Sequence, residues 1–129
     1  MKVDKKADKR FKGMRVFISG PMTGYKKYNF PKFDAWAKRL KAAGAAYVVN
    51  PADVSRQFRE ADVNAHGTMF RMMVGEQLKL ARAYCDTILL LDGWEVSSGV
   101  REELRLAIDL GFEIMLETPG NKKVAYPKR

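Results

Sequence analysis

The chain has few of the residues that disulfide, metal and thiol chemistry require. Its 129 residues include one cysteine, Cys85, and one histidine, His66. A single cysteine excludes an intrachain disulfide framework and predicts a reducing, cytoplasmic setting. Cys85 lies just before a predicted strand and is interpreted as a packing thiol, and His66 lies in a polar run and is interpreted as a surface residue. No spacing typical of metal ligands is present, so we expect neither a metal nor a cofactor.

Long apolar runs and the common nucleotide-binding fingerprints are also missing. No stretch approaches the roughly 18 apolar residues that a membrane-spanning helix needs, and the lysine-rich start does not resemble a signal peptide. The sequence contains neither a G-x-G-x-x-G fingerprint after a strand nor a P-loop. These absences argue against a membrane protein, a typical dinucleotide-binding enzyme and a P-loop nucleotide hydrolase.

Acidic residues are scarce at the two ends of the chain. The formal net charge is +9. Residues 1–13 carry six Lys and Arg against two Asp, and residues 122–129 carry four Lys and Arg and no acid. We therefore predict a flexible basic tail over 1–13, a domain over 14–121 and a second basic tail over 122–129. Nucleic acid is expected to bind only weakly and in a salt-dependent way, through these tails.

Short apolar runs alternate along the chain with segments of helical periodicity. Strands are predicted over 14–19, 47–49, 87–91 and 112–116, helices over 30–43, 68–84 and 98–110, a loop with at most a turn of helix over 53–66, and a short fifth edge strand over 124–126. This alternation predicts a single α/β domain. We expect a Rossmann- or flavodoxin-like parallel sheet of four to five strands, with helices on both faces.

Three methionines share one side of the second predicted helix. Met69, Met72 and Met73 follow the i, i+3, i+4 spacing of a helix face. Such residues are typical of a core, and methionine also adapts well to interfaces. A homodimer or a higher homo-oligomer is therefore expected.

The segment from Leu89 to Glu103 predicts a strand, a polar turn and an acid-rich helix start. In an open parallel sheet this junction lies at the edge where ligands bind. Val100, Leu104 and Ala107 fall on one helical stripe that should face the sheet. Glu102 then points to solvent, and Glu103 lies on the flank of the stripe. Either the acids simply stabilise the helix start, or Glu103 is an ionised nucleophile whose charge the helix dipole favours.

A second polar loop follows the first predicted strand. It comprises Ser19, Gly20, Pro21, Met22, Thr23 and Gly24. Glycines let the backbone approach a ligand closely. Together with Asn50 after the second strand and the turn after the third, this loop is expected to hold a sugar and a base near Glu103.

Several of these motifs, taken in order, resemble the nucleoside 2-deoxyribosyltransferase-like superfamily, and most closely a small domain frequent in phages and prophages. The motifs are 16–24 (VFISGPMTG), Asn29, 49–52 (VNPA), 85–86 (CD) and 93–99 (GWEVSSG). The resemblance covers about residues 14–116. It implies a homo-oligomer whose sites are shared between subunits and a nucleoside or nucleotide as the ligand.

The resemblance also implies a mechanism. Superfamily members carry a glutamate in the pattern Gly-x-x-x-Glu-x-x-x-Ala, which Gly99, Glu103 and Ala107 match. That glutamate attacks C1′ and releases the base, and the glycosyl-enzyme then passes to water or to another base. A serine at the position of Ser97 accompanies hydrolysis of nucleoside 5′-monophosphates. The resemblance therefore implies an N-glycosidase of (deoxy)nucleoside 5′-monophosphates, with base exchange as a variant.

One element of the superfamily pattern is absent. An aspartate that assists the leaving base usually lies about eight residues before the aspartate that precedes strand three, and counting back from Asp86 reaches Leu78. Glu76, Asp92 and Glu95 are candidate replacements. The alternatives are therefore a nucleotide-binding module without turnover and a deoxyribosyltransferase of unphosphorylated nucleosides. The remaining predicted substrate contacts are Tyr25, Asn29, Asn50, Gly93, Trp94, Ser97 and Gly99, with Tyr25, Trp94 or Asn50 against the base.

Overall fold

The computed structural model describes residues 11–61 and 66–118, with side chains described for 11–57 and 75–118. Four strands and four α-helices alternate along this part of the chain. They are β1 (Arg15–Ser19), α1 (Phe30–Ala42), β2 (Tyr47–Val49), α2 (Pro51–Ala61), α3 (His66–Tyr84), β3 (Thr87–Leu90), α4 (Ser98–Asp109) and β4 (Glu113–Leu116). The predicted α/β class is confirmed. The predicted edge strand over 124–126 and the bodies of both basic tails lie outside the described residues.

The four strands form one parallel sheet in the order β2-β1-β3-β4. The chain moves from β1 outward to β2 and then crosses to the other side of β1 to form β3. The order therefore reverses between β1 and β3. In open α/β sheets, ligands bind beyond the carboxyl ends of the strands at such a switch point.

Helices cover both faces of the sheet, as the sequence predicts. Successive strand residues point to opposite faces, so that Ile18 packs under α1 and Phe17 packs under α3 and α4. Helix α1 contributes Phe33, Trp36, Ala37 and Leu40 to the first core, while Ala81 of α3 and Val100, Leu104 and Ala107 of α4 belong to the second. Burial of each large apolar side chain stabilises the fold by about 1.5–3 kcal/mol.

The first core begins earlier than the predicted domain boundary at residue 14. Phe11 is fully buried and contacts the ring of Trp36 edge-on, with the ring centroids 6.3 Å apart. The packed body of the protein therefore includes residues from the segment that was predicted as a basic tail.

Helix α2 corrects the prediction of a loop over 53–66. The Asn50 side-chain oxygen accepts a hydrogen bond from the Ala52 N–H at 3.0 Å, and Pro51 occupies the first helical position. Asn followed by Pro after a strand is a turn signal and also a helix start signal. The polar residues that follow belong to an amphipathic helix, with Val54 and Ser55 buried.

Candidate functional site

A cavity of about 670 Å³ opens at the switch point between β1 and β3. The loop after β1 covers it, the start of α4 forms one wall, and α3 forms another. The lining residues are Gly20, Pro21, Met22, Thr23, Tyr25, Pro51, Gln77, Leu78, Val96, Ser97, Ser98, Gly99, Val100, Glu102, Glu103 and Leu106. This volume lies within the usual range for a small-molecule site.

Glu103 is the central titratable group of this cavity. The Ser19 hydroxyl, at the end of β1, donates a hydrogen bond of 2.5 Å to Glu103 Oε1. The helical stripe predicted from the sequence is confirmed, since Val100, Leu104 and Ala107 are buried while Glu102 is exposed. Glu103 therefore lies on the flank of α4, with one oxygen held by β1 and its side chain next to the cavity.

The pKa of Glu103 is determined by burial more than by the start of the helix. Burial raises the pKa of this carboxyl to about 7; the Ser19 hydrogen bond opposes the rise and the Glu102 charge adds to it. Free N–H groups at a helix start favour an ionised carboxylate only within the first turn. Glu103 lies in the second turn of α4, where desolvation outweighs the helix dipole. The carboxyl therefore titrates near neutral pH.

Ser97 caps α4 and also lines the cavity. Its hydroxyl oxygen accepts a hydrogen bond from the Val100 N–H at 3.4 Å. Ser97 is therefore the capping residue, and its own O–H remains able to donate to a ligand. Gly99 follows in the first turn and lines the same wall.

The loop after β1 is held by polar contacts and by unusual backbone geometry. The Asn29 amide donates a hydrogen bond of 3.0 Å to the Pro21 carbonyl. Lys27, Tyr28 and Asn29 all have positive φ, at 54°, 53° and 64°. A non-glycine residue in this region is strained by about 1–2 kcal/mol. Asn29 thus shapes the loop from behind and is not among the residues that line the cavity.

Two glycines allow the loops after β1 and β3 to approach each other. A Cβ on Gly93, which has a φ of +91°, would lie 2.5 Å from the Tyr25 hydroxyl and 3.2 Å from Pro21 Cγ. A Cβ on Gly20 would lie 2.8 Å from Leu91 Cβ. The absence of a side chain at Gly93 therefore lets Tyr25 pack beside the cavity, and the absence of one at Gly20 lets the start of the loop pack against Leu91. Gly24 forms the turn between Met22 and Tyr25.

The Gly20→Ala variant is expected to lose about 1–3 kcal/mol of the free energy of unfolding, because the added methyl group meets a fully buried leucine. Urea denaturation measures this change. Gly75→Ala is the matched control: it adds a methyl group to an exposed position in α3 that has no described neighbour within 4 Å. It should leave stability unchanged or raise it by up to about 1 kcal/mol. Equal stability of Gly20→Ala and wild type would contradict the packing role of Gly20.

Trp94 and Asn50, two of the three residues predicted to contact the base, make their contacts within the protein fold. Trp94 is buried in the second core. The Asn50 amide donates a hydrogen bond of 3.0 Å to Asp34 Oδ1, and its oxygen caps α2. Neither residue is among those that line the cavity, whereas the third candidate, Tyr25, is.

The three candidate acids do not belong to the cavity lining. Asp92 accepts a hydrogen bond of 2.7 Å from the Thr118 hydroxyl. Glu95 lies in the short 3-10 turn Trp94–Val96. Glu76 of α3 is near Tyr47, whose pKa is raised chiefly by burial and also by this carboxylate. Glu102, at the exposed rim, is the carboxylate that joins Glu103 in the lining.

Sequence reasoning missed the α3 side of the cavity. Gln77 and Leu78 line it, together with Pro51, Val96, Val100 and Leu106. Gln77 was available as a signal, because it places a polar side chain on the apolar stripe that contains Leu80 and Ala81.

In the described part of the chain, no group of three or more His, Cys, Asp or Glu side chains is arranged to hold a metal ion. Among helices in the same residues, none combines the length and apolar character needed to cross a membrane.

The fold and site define a parallel α/β domain with a carboxyl-containing cavity at the sheet's switch point. A family model described as a domain of unknown function, DUF4406, matches residues 14–116, and the chain belongs to that family. No curated protein and no solved structure matches the chain.

Proposed function

We propose that this protein is an N-glycosidase that cleaves the base–sugar bond of (deoxy)nucleosides or their 5′-monophosphates through a covalent glycosyl intermediate on Glu103. The observation that carries the proposal is the Glu103 carboxyl itself. It lies beside a cavity at the ligand-binding edge of the sheet, and Ser19 holds it by a 2.5 Å hydrogen bond. The resemblance to the nucleoside 2-deoxyribosyltransferase-like superfamily supplies the substrate class.

Glu103 has one oxygen oriented and one oxygen available. Ser19 binds Oε1, and Oε2 has no hydrogen-bond partner among the described residues. In the first step a lone pair of Oε2 forms a bond to C1′ while the C1′–N bond breaks, and its electron pair leaves on the base. The base takes a proton. The carboxylate also stabilises the positive charge that develops on the sugar.

In the second step a water oxygen attacks C1′ and the bond to Glu103 breaks. The electron pair returns to the carboxylate, and the water's proton returns, directly or through the solvent, to the group that protonated the base in the first step. Transfer to a second base at this step would give a new nucleoside in place of hydrolysis. Asp92, Glu95 and Glu76 stay candidates for the proton donor of the first step.

A 5′-phosphate would bind at the start of α4. The N–H groups of a helix N-terminus and the hydroxyls of Ser97 and Thr23 suit an anion. No Lys or Arg is among the described lining residues, however, and two glutamates are. Nucleosides and monophosphates are therefore both tested.

The experiment is base release from a panel of nucleosides and their 5′-monophosphates, with and without a second free base, followed by chromatography. We expect release from a subset of the panel. A new nucleoside or nucleotide that forms only with added base would identify a transferase. A folded protein that releases no base, and whose melting temperature rises with a nucleotide that is recovered unchanged, would contradict catalysis and identify a nucleotide-binding module.

A further inference from the structure

Gln77 combines burial with an unused hydrogen-bonding group. The residue is 4% exposed and lines the cavity. Its side-chain amide has no hydrogen-bond partner among the described residues, although a buried amide that lacks one destabilises a fold. In the same part of the chain, every side-chain nitrogen or oxygen that is inaccessible to solvent has a hydrogen-bond partner. The Gln77 amide must therefore reach accessible surface, and the surface that this residue lines is the cavity.

The position of Gln77 follows from the direction of α3. This helix leads into the start of β3, so it runs against the strands, and its earlier residues lie nearer their carboxyl ends. Ala81 of α3 is buried on the sheet. Gln77 shares that face, one turn of about 5.4 Å closer to the cavity. Glu103 and Leu106 approach the same cavity from α4.

The surroundings of Gln77 suit a flat, largely apolar group. The cavity that Gln77 lines also has Leu78, Pro51, Leu106 and Met22 in its wall. A nucleobase has such faces, and its edge carries adjacent donors and acceptors. A glutamine amide presents one donor group and one acceptor side by side and forms paired hydrogen bonds with such an edge.

We infer that the Gln77 amide reads the hydrogen-bonding edge of the substrate's base. The substrates it favours have an adjacent donor and acceptor on that edge, as in the lactam of uracil or hypoxanthine or the amino-imine edge of adenine. An amide cannot give up a proton at neutral pH, so Gln77 determines specificity and does not act as the acid. The inference rests on the proposed function for the nucleoside class of its ligand.

The test compares each base with an analogue whose edge is blocked. The pairs are 2′-deoxyuridine with 3-methyl-2′-deoxyuridine, 2′-deoxyinosine with 1-methyl-2′-deoxyinosine, and 2′-deoxyadenosine with N6,N6-dimethyl-2′-deoxyadenosine, each also as the 5′-monophosphate. For at least one pair, wild type should prefer the free edge by about 10- to 100-fold in kcat/KM. Gln77→Leu should lower kcat/KM for that substrate by a similar factor and bring the preference close to one.

Two controls separate specificity from folding. Gln57→Leu makes the same change on an exposed part of α2 and should leave the preference unchanged. Gln77→Leu should melt at or above the wild-type temperature, because the Gln77 amide makes no hydrogen bond to the described residues. A preference that survives in Gln77→Leu would overturn the inference, while base release by wild type would leave the proposed function standing.

Binding provides a readout that does not need turnover. The same pairs are titrated calorimetrically into Glu103→Gln, with and without Gln77→Leu. A preference for the free edge that disappears with Gln77→Leu supports the inference even where wild type releases no base, which would contradict the glycosidase alone. Equal binding of both members of every pair to Glu103→Gln would overturn the inference.

Discussion

Glu103→Gln is expected to lower the rate of base release by at least about 10³-fold while the fold stays intact. An amide oxygen is a poor nucleophile and carries no charge to stabilise the sugar cation, so both contributions of the carboxylate are lost. The variant keeps the length of the side chain and an oxygen that can accept the Ser19 hydrogen bond. Chromatographic rate measurements on the best substrate of the panel, together with circular dichroism, provide the check.

Glu102→Gln is the matched control for the nucleophile. It removes the same charge from the next residue of the same helix, at an exposed position. Its rate at pH 8 should stay within about threefold of wild type. If Glu102→Gln lost activity and Glu103→Gln retained it, the nucleophile would be Glu102, and the proposed mechanism would be overturned.

The pH dependence of the reaction supplies a second signature of the nucleophile. Glu103 reacts when ionised, and its pKa is about 7. The wild-type kcat/KM should therefore rise about tenfold per pH unit below that value and level off above it. The Glu102 charge contributes to the raised pKa, so that Glu102→Gln should shift the rise to lower pH. A rate that is flat between pH 5 and 8 would contradict this role.

The sheet, the helix faces and the deeper burial of Glu103 than of Glu102 could be predicted from the sequence because each depends on local periodicity. The apolar run over 87–91 is typical of a buried parallel strand, and the stripe through Val100 and Leu104 fixes which way Glu103 points. Helix α2 could not be predicted in the same way. Its start signal, Asn50-Pro51, is also a turn signal, and its polar residues mask the few that pack.

The Ser19 contact and the Gln77 wall depend on tertiary structure. Ser19 and Glu103 are 84 residues apart in the sequence and meet because β1 and β3 are neighbours. Gln77 lines the cavity because α3 and α4 cover the same face of the sheet, and no periodicity gives that arrangement. Likewise, the loop glycines indicated a close approach, but the sequence does not show to what. Gly93 meets Tyr25 in the loop after β1, and Gly20 meets Leu91 just after β3.

The stability of the protein should also depend on the ionisation of Glu103, and it should fall with rising pH where the activity increases. The folded-state pKa of Glu103 is raised to about 7 from an ordinary value of 4.5. Between these values the folded protein holds a proton that the unfolded chain has lost, so stability falls as pH rises from 4.5 to 7 and is constant above that. A difference of about 2.5 pH units corresponds to an upper limit of about 3 kcal/mol.

Glu103→Gln should therefore be more stable than wild type at pH 8, by up to about 3 kcal/mol, and nearly equal to it at pH 4. Urea denaturation at the two pH values measures the difference, and Glu113→Gln, an exposed change on β4, should have the same small effect at both. A Glu103→Gln variant that is less stable at pH 8 would mean that the carboxylate supports the fold. The stability advantage of Glu103→Gln over wild type should grow over the same pH range in which the wild-type activity rises. In that case the ionised Glu103 carboxylate destabilises the fold, as expected of a group that is retained for chemistry.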